Sequence, residues 1–173
     1  MKIKKLNVRI KDLMKHIELK TDYWENPNTT NCYAYALGFD IPEYVIADGA
    51  YNLGTIGLIK IGIDPKFRLY YDKETRLVKD LDALKFKYNE VSPDDEIKDN
   101  HKYSYFKICL MKNKNDYHFL RQSKTDNTWW HKQGWSSKPS NKDDNGDLIT
   151  DPKKAKIRDY EYVKTYKLKF KRS

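Results

Sequence analysis

Short runs of aromatic and β-branched residues dominate the last third of the chain. They lie at 103–111, 117–122 and 128–132, with polar turns at 113–116 and 123–127 between them. This pattern predicts three consecutive antiparallel strands, a meander, with the first run as a central strand. A later run, Tyr160 to Phe170, has a period of two and predicts a final strand. Because lysines alternate with apolar residues from Lys164 to Arg172, we expect that strand at an edge of the sheet.

Helical periodicity appears earlier in the chain. Residues 72–86 form an amphipathic pattern that predicts a helix with Leu77, Leu81 and Leu84 facing the core. Residues 3–19 carry apolar side chains at roughly helical spacing, although the first ten residues would suit a strand equally well.

Polar segments separate these elements. Residues 89–102 are predicted to be a loop, and a longer polar loop follows from 134 to 151. Within it, Asp143-Asp144-Asn145-Gly146-Asp147 imitates half of a calcium loop, but its glycine is misplaced and no glutamate closes the set. We therefore interpret this motif as a turn. A brief helical patch is predicted at 153–158.

A short helix is predicted around the first cysteine. The stretch Asn31-Cys32-Tyr33-Ala34-Tyr35-Ala36-Leu37-Gly38 is preceded by two threonines, and each residue from Thr29 to Asn31 has a side-chain oxygen that can cap a helix N-terminus. Gly38 suits the left-handed conformation that ends a helix. Cys32 would then lie in the first turn, where unpaired N–H groups and the helix dipole favour a thiolate. Such a cysteine is either a nucleophile or a small buried residue.

The composition is that of one globular domain. The chain has 173 residues, of which 39% are hydrophobic and 14% aromatic, enough for a buried core. We expect a single domain over 1–173, with a basic N-terminal segment at 1–22 and an antiparallel sheet over 103–170. The net charge of +9 would favour acidic partners such as nucleic acid. The basic residues are scattered, however, so a nucleic-acid partner is allowed but not favoured.

The cysteine count and the apolar runs bound the class of protein further. Two cysteines, Cys32 and Cys109, make no disulfide framework, and no Cys/His spacing predicts zinc, so we expect neither a metal nor a cofactor. Cys109 lies inside the first strand of the meander and is interpreted as a buried structural thiol. No apolar run has the length of a signal peptide or a membrane span, which predicts a cytoplasmic location without a membrane partner.

Two histidines lie where they could act on Cys32. His118 begins the second strand of the meander, and His131 follows 13 residues later on the next strand. Because paired strands are about 4.8 Å apart, a hairpin can bring the two rings side by side. A cysteine hydrolase needs a thiol, an imidazole base and a group that orients the imidazole. Cys32, His118 and His131 can fill these roles in that order. Gln133 or Asn127 could serve as the orienting group instead.

This order and spacing resemble the papain-like cysteine peptidase superfamily, and within it the NlpC-type cell-wall endopeptidase branch. Asp116-Tyr117-His118-Phe119-Leu120 looks like the strand that carries the base, and Trp129 to Trp135 holds the position of the third residue. Tyr23-Trp24, nine and eight residues before Cys32, resembles a pair that precedes the nucleophile in that branch. Asn31-Cys32-Tyr33-Ala34 stands where the branch has Asp-Cys-Ser-Gly, so the resemblance leaves the substrate open.

The resemblance implies an α+β, papain-like fold in which the helix bearing the nucleophile packs on an antiparallel sheet. It implies a thiol-dependent peptidase or amidase, or an acyltransferase, that acts on peptide or amide substrates of protein or cell-wall type. Cys32 would attack the carbonyl, His118 would move the proton and His131 would orient His118. The expected oxyanion and substrate contacts are Asn31, the Cys32 N–H, Tyr23, Trp24 and Gln133.

A second class of function is also open. A non-enzymatic protein of the same fold could use a basic surface rich in tryptophan to contact nucleic acid or an acidic partner. The tryptophans concerned are Trp24, Trp129, Trp130 and Trp135. The positions of Cys32 and His118 distinguish the two classes, because only a hydrolase requires both side chains in one open cleft. The sequence predicts no oligomeric state.

Overall fold

The computed structural model describes residues 18–19, 31–40, 72–83, 86–134 and 137–171. Its elements in chain order are β1 (Glu18–Leu19), α1 (Cys32–Ala36), β2 (Phe39–Asp40), α2 (Lys73–Ala83), β3 (Lys87–Val91), β4 (Tyr103–Lys112), β5 (Tyr117–Gln122), β6 (Trp129–His131) and β7 (Glu161–Lys171). They form a mixed α/β fold with a five-stranded antiparallel sheet and few helices. β1 and β2 pair with each other in a separate two-stranded sheet.

The five-stranded sheet has the order β3-β7-β4-β5-β6, and its neighbouring strands are all antiparallel. The predicted meander is confirmed as β4, β5 and β6, with β4 at the centre. The final strand is also confirmed, but its predicted edge position is wrong, because β7 lies between β3 and β4. The edge strands are β6 and β3. β3 extends into the segment predicted to be a loop from residue 89 onward. Its residues are exposed or half-buried, so they carry no apolar period that would reveal a strand.

Both faces of the sheet are covered around β4. Phe106, Ile108 and Leu110 pack into a cluster with the two helices, whereas Cys109 and Met111 face the opposite way into a second cluster. This follows from the alternation of side chains along a strand. The second cluster also contains Trp129, Ile149, Ile157 and Tyr160. Cys109 is fully buried there, and burial raises the pKa of its thiol, in agreement with a structural role.

The two helices are joined to each other and to the sheet. Leu77 and Leu81 of α2 are fully buried, as predicted. The Tyr33 hydroxyl of α1 donates a hydrogen bond to Asp80 of α2 at 2.7 Å, and both side chains are fully buried. The Tyr33 ring packs on Phe119 of β5 with ring centroids 4.8 Å apart. α1 is therefore fixed against the strand that carries His118.

Two predicted helical segments are corrected. Residues 153–158 contain turns rather than a helix, because the carboxylates at 143–144, and not backbone carbonyls four residues earlier, accept two of their N–H groups. Glu18–Leu19, the end of the predicted N-terminal helix, is a strand paired with Phe39–Asp40.

Leu84 and residues 3–17, which the helical predictions also include, lie outside the described residues. Within the part of the chain that the structure describes, no helix is long and apolar enough to cross a membrane.

Candidate active site

Cys32 is the first residue of α1, a helix of five residues. Asn31 is the N-cap, and its Oδ1 accepts hydrogen bonds from the N–H groups of Tyr33 at 3.1 Å and Ala34 at 3.0 Å. Gly38 has a φ of +79°, the left-handed conformation predicted for the end of the helix. A helix this short is unstable alone. Here the cap and the complete burial of its last four residues hold it in place.

His118 and His131 lie on neighbouring strands and are in direct contact. β5 and β6 pair with Leu120 opposite His131, which puts His118 two residues along the same face. His118 Nε2 is 2.9 Å from His131 Nδ1, and the two ring planes are inclined at 85°. Both side chains are buried, with 4% and 2% of their surface exposed. The structure therefore contains the histidine pair that the hairpin pattern predicts.

The protonation of both rings follows from one further contact. His131 Nε2 is 2.8 Å from the backbone carbonyl of Lys142. A carbonyl oxygen only accepts hydrogen bonds, so His131 Nε2 carries a proton. Burial lowers the pKa of His131, and its neutral ring therefore has an unprotonated Nδ1. His118 Nε2 must donate to that atom. The nitrogen left as a base is His118 Nδ1.

The turn at 143–147 positions the residues around the histidine pair. The Asp143 carboxylate accepts three backbone N–H hydrogen bonds, and the Asp144 carboxylate accepts one. The donors are Asn145 at 2.9 Å, Asp147 at 3.1 Å and Lys156 at 3.0 Å for Asp143, and Arg158 at 2.5 Å for Asp144. The interpretation of this motif as a turn is confirmed. It links the segment at 156–158 to Lys142, the residue whose carbonyl orients His131.

Cys32 and His118 line the same cavity, which has a volume of about 250 Å³. Tyr160, on its wall, stacks on the His118 ring with centroids 5.5 Å apart and planes inclined at 15°. The Tyr160 hydroxyl donates to Asp116 at 3.0 Å, and Asp116 also lines the cavity. The imidazole of His118 is thus held by His131 at its edge and by Tyr160 at its face.

Burial dominates the titration of Cys32. It raises the pKa of the thiol to about 12, and Asp116 adds to the rise. The N–H groups of Phe119, Tyr33 and Cys32 itself act in the opposite direction without balancing it. The thiolate expected from the position in the first helical turn is therefore wrong for the resting site. Desolvation outweighs the N–H groups there.

His118 is also neutral at rest. Burial lowers the pKa of His118 to about 3, with His131 and Arg158 acting in the same direction. At neutral pH the cavity therefore contains a neutral thiol and a neutral imidazole. Nucleophilic chemistry in this site requires proton transfer from sulfur to nitrogen during attack, because no thiolate is stored beforehand.

The structure describes two of the four other predicted contacts. Asn31 and Gln133 line the cavity, whereas Tyr23 and Trp24 lie outside the described residues. The Oδ1 atom of Asn31 serves as the helix cap. Gln133 Nε2 donates to Asp144 at 3.4 Å, so the amide of Gln133 belongs to the wall rather than to the orientation of His118.

The positions of Asn127 and Trp129 in the structure contradict two other expectations. Asn127 lines a different cavity, and its carbonyl accepts a hydrogen bond from Gln122, so it does not orient His118. Trp129 is fully buried and cannot belong to an exposed binding surface. Trp130 is half-buried, and Trp24 and Trp135 lie outside the described residues.

Three residues at the site are not marked by any sequence pattern. Asp116 is predicted only as part of a turn, and Tyr160 only as the start of a strand. Lys132 is predicted only as the end of one. The stacking of Tyr160 on His118 arises when β7 returns along β4, and no local signal marks it.

No protein-family model, curated protein or solved structure matches the chain. In the described ranges, no group of three or more His, Cys, Asp or Glu side chains is arranged to hold a metal ion.

Proposed function

We propose that the chain is a thiol-dependent hydrolase or acyltransferase that acts on peptide or amide carbonyls. Cys32 is the nucleophile, His118 is the general base and then the general acid, and His131 orients His118. The observation that carries this proposal is the hydrogen-bonded chain from His118 through His131 to the Lys142 carbonyl. It leaves His118 Nδ1 as the basic nitrogen of a residue that shares its cavity with Cys32.

In the first step, the Cys32 sulfur attacks the carbonyl carbon while its proton passes to His118 Nδ1. His118 becomes an imidazolium whose Nε2–H still donates to His131, so the same contact supports both charge states. The tetrahedral intermediate then collapses. The imidazolium gives its proton to the departing amine, the carbon–nitrogen bond breaks, and a thioester to Cys32 remains.

In the second step, water or an amine replaces the substrate's leaving group. His118 Nδ1 takes a proton from this acceptor as it attacks the thioester, and the proton then returns to the Cys32 sulfur. Water gives hydrolysis and an amine gives acyl transfer. The oxyanion of either step is best held by the backbone N–H of Cys32, which belongs to the first turn of α1 and has no partner within the helix.

The papain-like architecture is part of the proposal. A capped helix with cysteine at its first position packs against β5, and the base begins that strand. The orienting residue lies on the next strand of the same antiparallel sheet. This arrangement supports the class of chemistry, and it leaves the choice between protein and cell-wall substrates to experiment.

An acyl donor that needs no recognition tests the nucleophile directly. We expect p-nitrophenyl acetate to acetylate Cys32 in a burst of p-nitrophenolate, with the modified residue located by peptide mass spectrometry. Cys32→Ala should abolish the burst. Cys109→Ala is the matched control and should retain it, because Cys109 is fully buried. A burst that survives in Cys32→Ala would sink the proposed mechanism.

A further inference from the structure

Lys132 is a buried cation beside the site. It directly follows His131, none of its surface is exposed, and its Nζ donates to the Gly134 carbonyl at 2.6 Å. Gly134 lines the same cavity as Cys32. Complete burial is rare for lysine because removing an ammonium group from water is costly. Neither step of the proposed mechanism involves Lys132.

The strand geometry directs Lys132 toward Cys32. His131 shares a face of the sheet with Leu120 of the second cluster, so the next residue points to the opposite face. α1 packs on that face against β6 and begins with Cys32. Cys32 favours the charged form of Lys132, as expected for an ammonium group near a sulfur that can become negative.

We infer that Lys132 is the electrostatic partner of Cys32, and that its ammonium group stabilises the negative charge on sulfur as His118 removes the proton. The inference rests on the proposed role of Cys32 as nucleophile. Burial disfavours a thiolate in this cavity, and a fixed positive charge offsets part of that penalty. Lys132 forms no bond and transfers no proton in this step. Its donation to the Gly134 carbonyl holds the charge in place.

The titration of Lys132 makes this role measurable. Burial lowers the pKa of Lys132 to about 8, so the side chain is charged at neutral pH and loses its charge in mildly alkaline solution. Among the described residues, the other titratable or charged groups around Cys32 are His118, Asp116, Arg158, Tyr117, Tyr160 and Tyr33. The pKa of His118 is lowered and those of Tyr160 and Tyr33 are raised, away from this range.

A partner that titrates in this way produces a break in the pH dependence of Cys32 alkylation. Below the break, the thiolate fraction rises tenfold per pH unit while Lys132 stays charged. Above it, loss of the charge cancels the rise. A close opposite charge lowers the pKa of a thiol by about one to three units and so raises the thiolate fraction. Roughly half of this gain, on a logarithmic scale, is offset because a more acidic thiol is a weaker nucleophile. Charged Lys132 should therefore accelerate alkylation about 3- to 30-fold.

The experiment follows alkylation of Cys32 by iodoacetamide from pH 6 to pH 10 with peptide mass spectrometry. Lys132→Met keeps the length of the side chain without its charge, and Lys132→Arg keeps a charge at every pH. Lys107→Met is the matched control. Lys107 is also a buried lysine whose Nζ donates to a backbone carbonyl, that of Asp95 at 2.8 Å, but it lines a different cavity.

We expect a break near pH 8 in the wild-type and Lys107→Met profiles and a straight line of slope one in both Lys132 variants. The Lys132→Met line should lie about 3- to 30-fold below wild type at pH 7 and meet it above the break. A wild-type profile that runs straight through pH 8 overturns the inference, whether or not the variants fold. So does a Lys132→Met profile that superimposes on wild type. If Cys32 is not alkylated at all, the proposed function fails with it.

Discussion

Replacement of His131 isolates the contact that orients His118. His131→Phe keeps an aromatic ring and removes both nitrogens, so the N–H of His118 loses its acceptor and the Lys142 carbonyl loses its donor. His131→Asn is the matched variant. Its amide oxygen lies the same number of bonds from the backbone as Nδ1, so it can accept from His118 while losing only the contact with Lys142.

The magnitudes follow from burial. His118 is 4% exposed, and a buried donor without an acceptor costs about 1–3 kcal/mol. Lys142 is exposed, so its carbonyl can be rehydrated and that hydrogen bond contributes about 1 kcal/mol. We expect His131→Phe to lose about 2–4 kcal/mol of unfolding free energy, out of the roughly 5–15 kcal/mol typical of a domain. Without a fixed tautomer, His118 should also lose most of a general-base contribution of about 10²- to 10⁴-fold.

The assay is the rate of Cys32 acetylation by p-nitrophenyl acetate, paired with urea denaturation of each variant. His131→Asn should acetylate within about tenfold of wild type, and His131→Phe about 10²-fold or more below it. Equal rates in the Phe and Asn variants would refute the reasoning, because they would mean that the acceptor for His118 is irrelevant. So would a wild-type rate in His131→Phe.

Three further substitutions test the structure around the site. Tyr33→Phe removes the donor to Asp80 between two buried side chains, so urea denaturation should show a loss of about 1–3 kcal/mol, and an unchanged midpoint would contradict the contact. In Gly134→Ala the new Cβ has no atom within 4 Å, but the residue must hold a φ of +80°, so the loss should be about 1–2 kcal/mol from strain alone. Backbone hydrogen bonds, chiefly from Lys156, hold the pKa of Asp143 below its usual range, so the stability they provide is present above about pH 4 and fades as the pH falls below it. Asp143→Asn should therefore lower the thermal midpoint at pH 6 and lower it less at pH 3, whereas equal losses at both pH values would argue against this linkage.

The elements that the sequence predicts well are those set by local patterns. The meander follows from alternating apolar residues and short polar turns, and it already implies that His118 and His131 lie side by side. The cap by Asn31 and the left-handed Gly38 are local in the same sense. β3 is different, because its exposed residues carry no apolar period and the strand exists only through its ladder with β7.

The chemistry of the site depends on contacts that a linear pattern does not contain. Tyr160 reaches the cavity only because β7 returns along β4, and its hydroxyl meets Asp116, 44 residues away in sequence. Lys132 is buried because α1 packs over the end of β6. The expected Cys32 thiolate is wrong for the same reason. A helix position can be predicted from sequence, but the desolvation that opposes ionisation is set by tertiary packing.

The central claim is that His118 removes the proton of Cys32 as the sulfur attacks. The most direct measurement is the rate of Cys32 acetylation in wild-type protein and in His118→Gln, which keeps a polar side chain of similar size and removes the base. The account predicts a rate about 10²- to 10⁴-fold lower in His118→Gln at neutral pH, with Cys32 still the acetylated residue. Equal acetylation rates in the two proteins would contradict it.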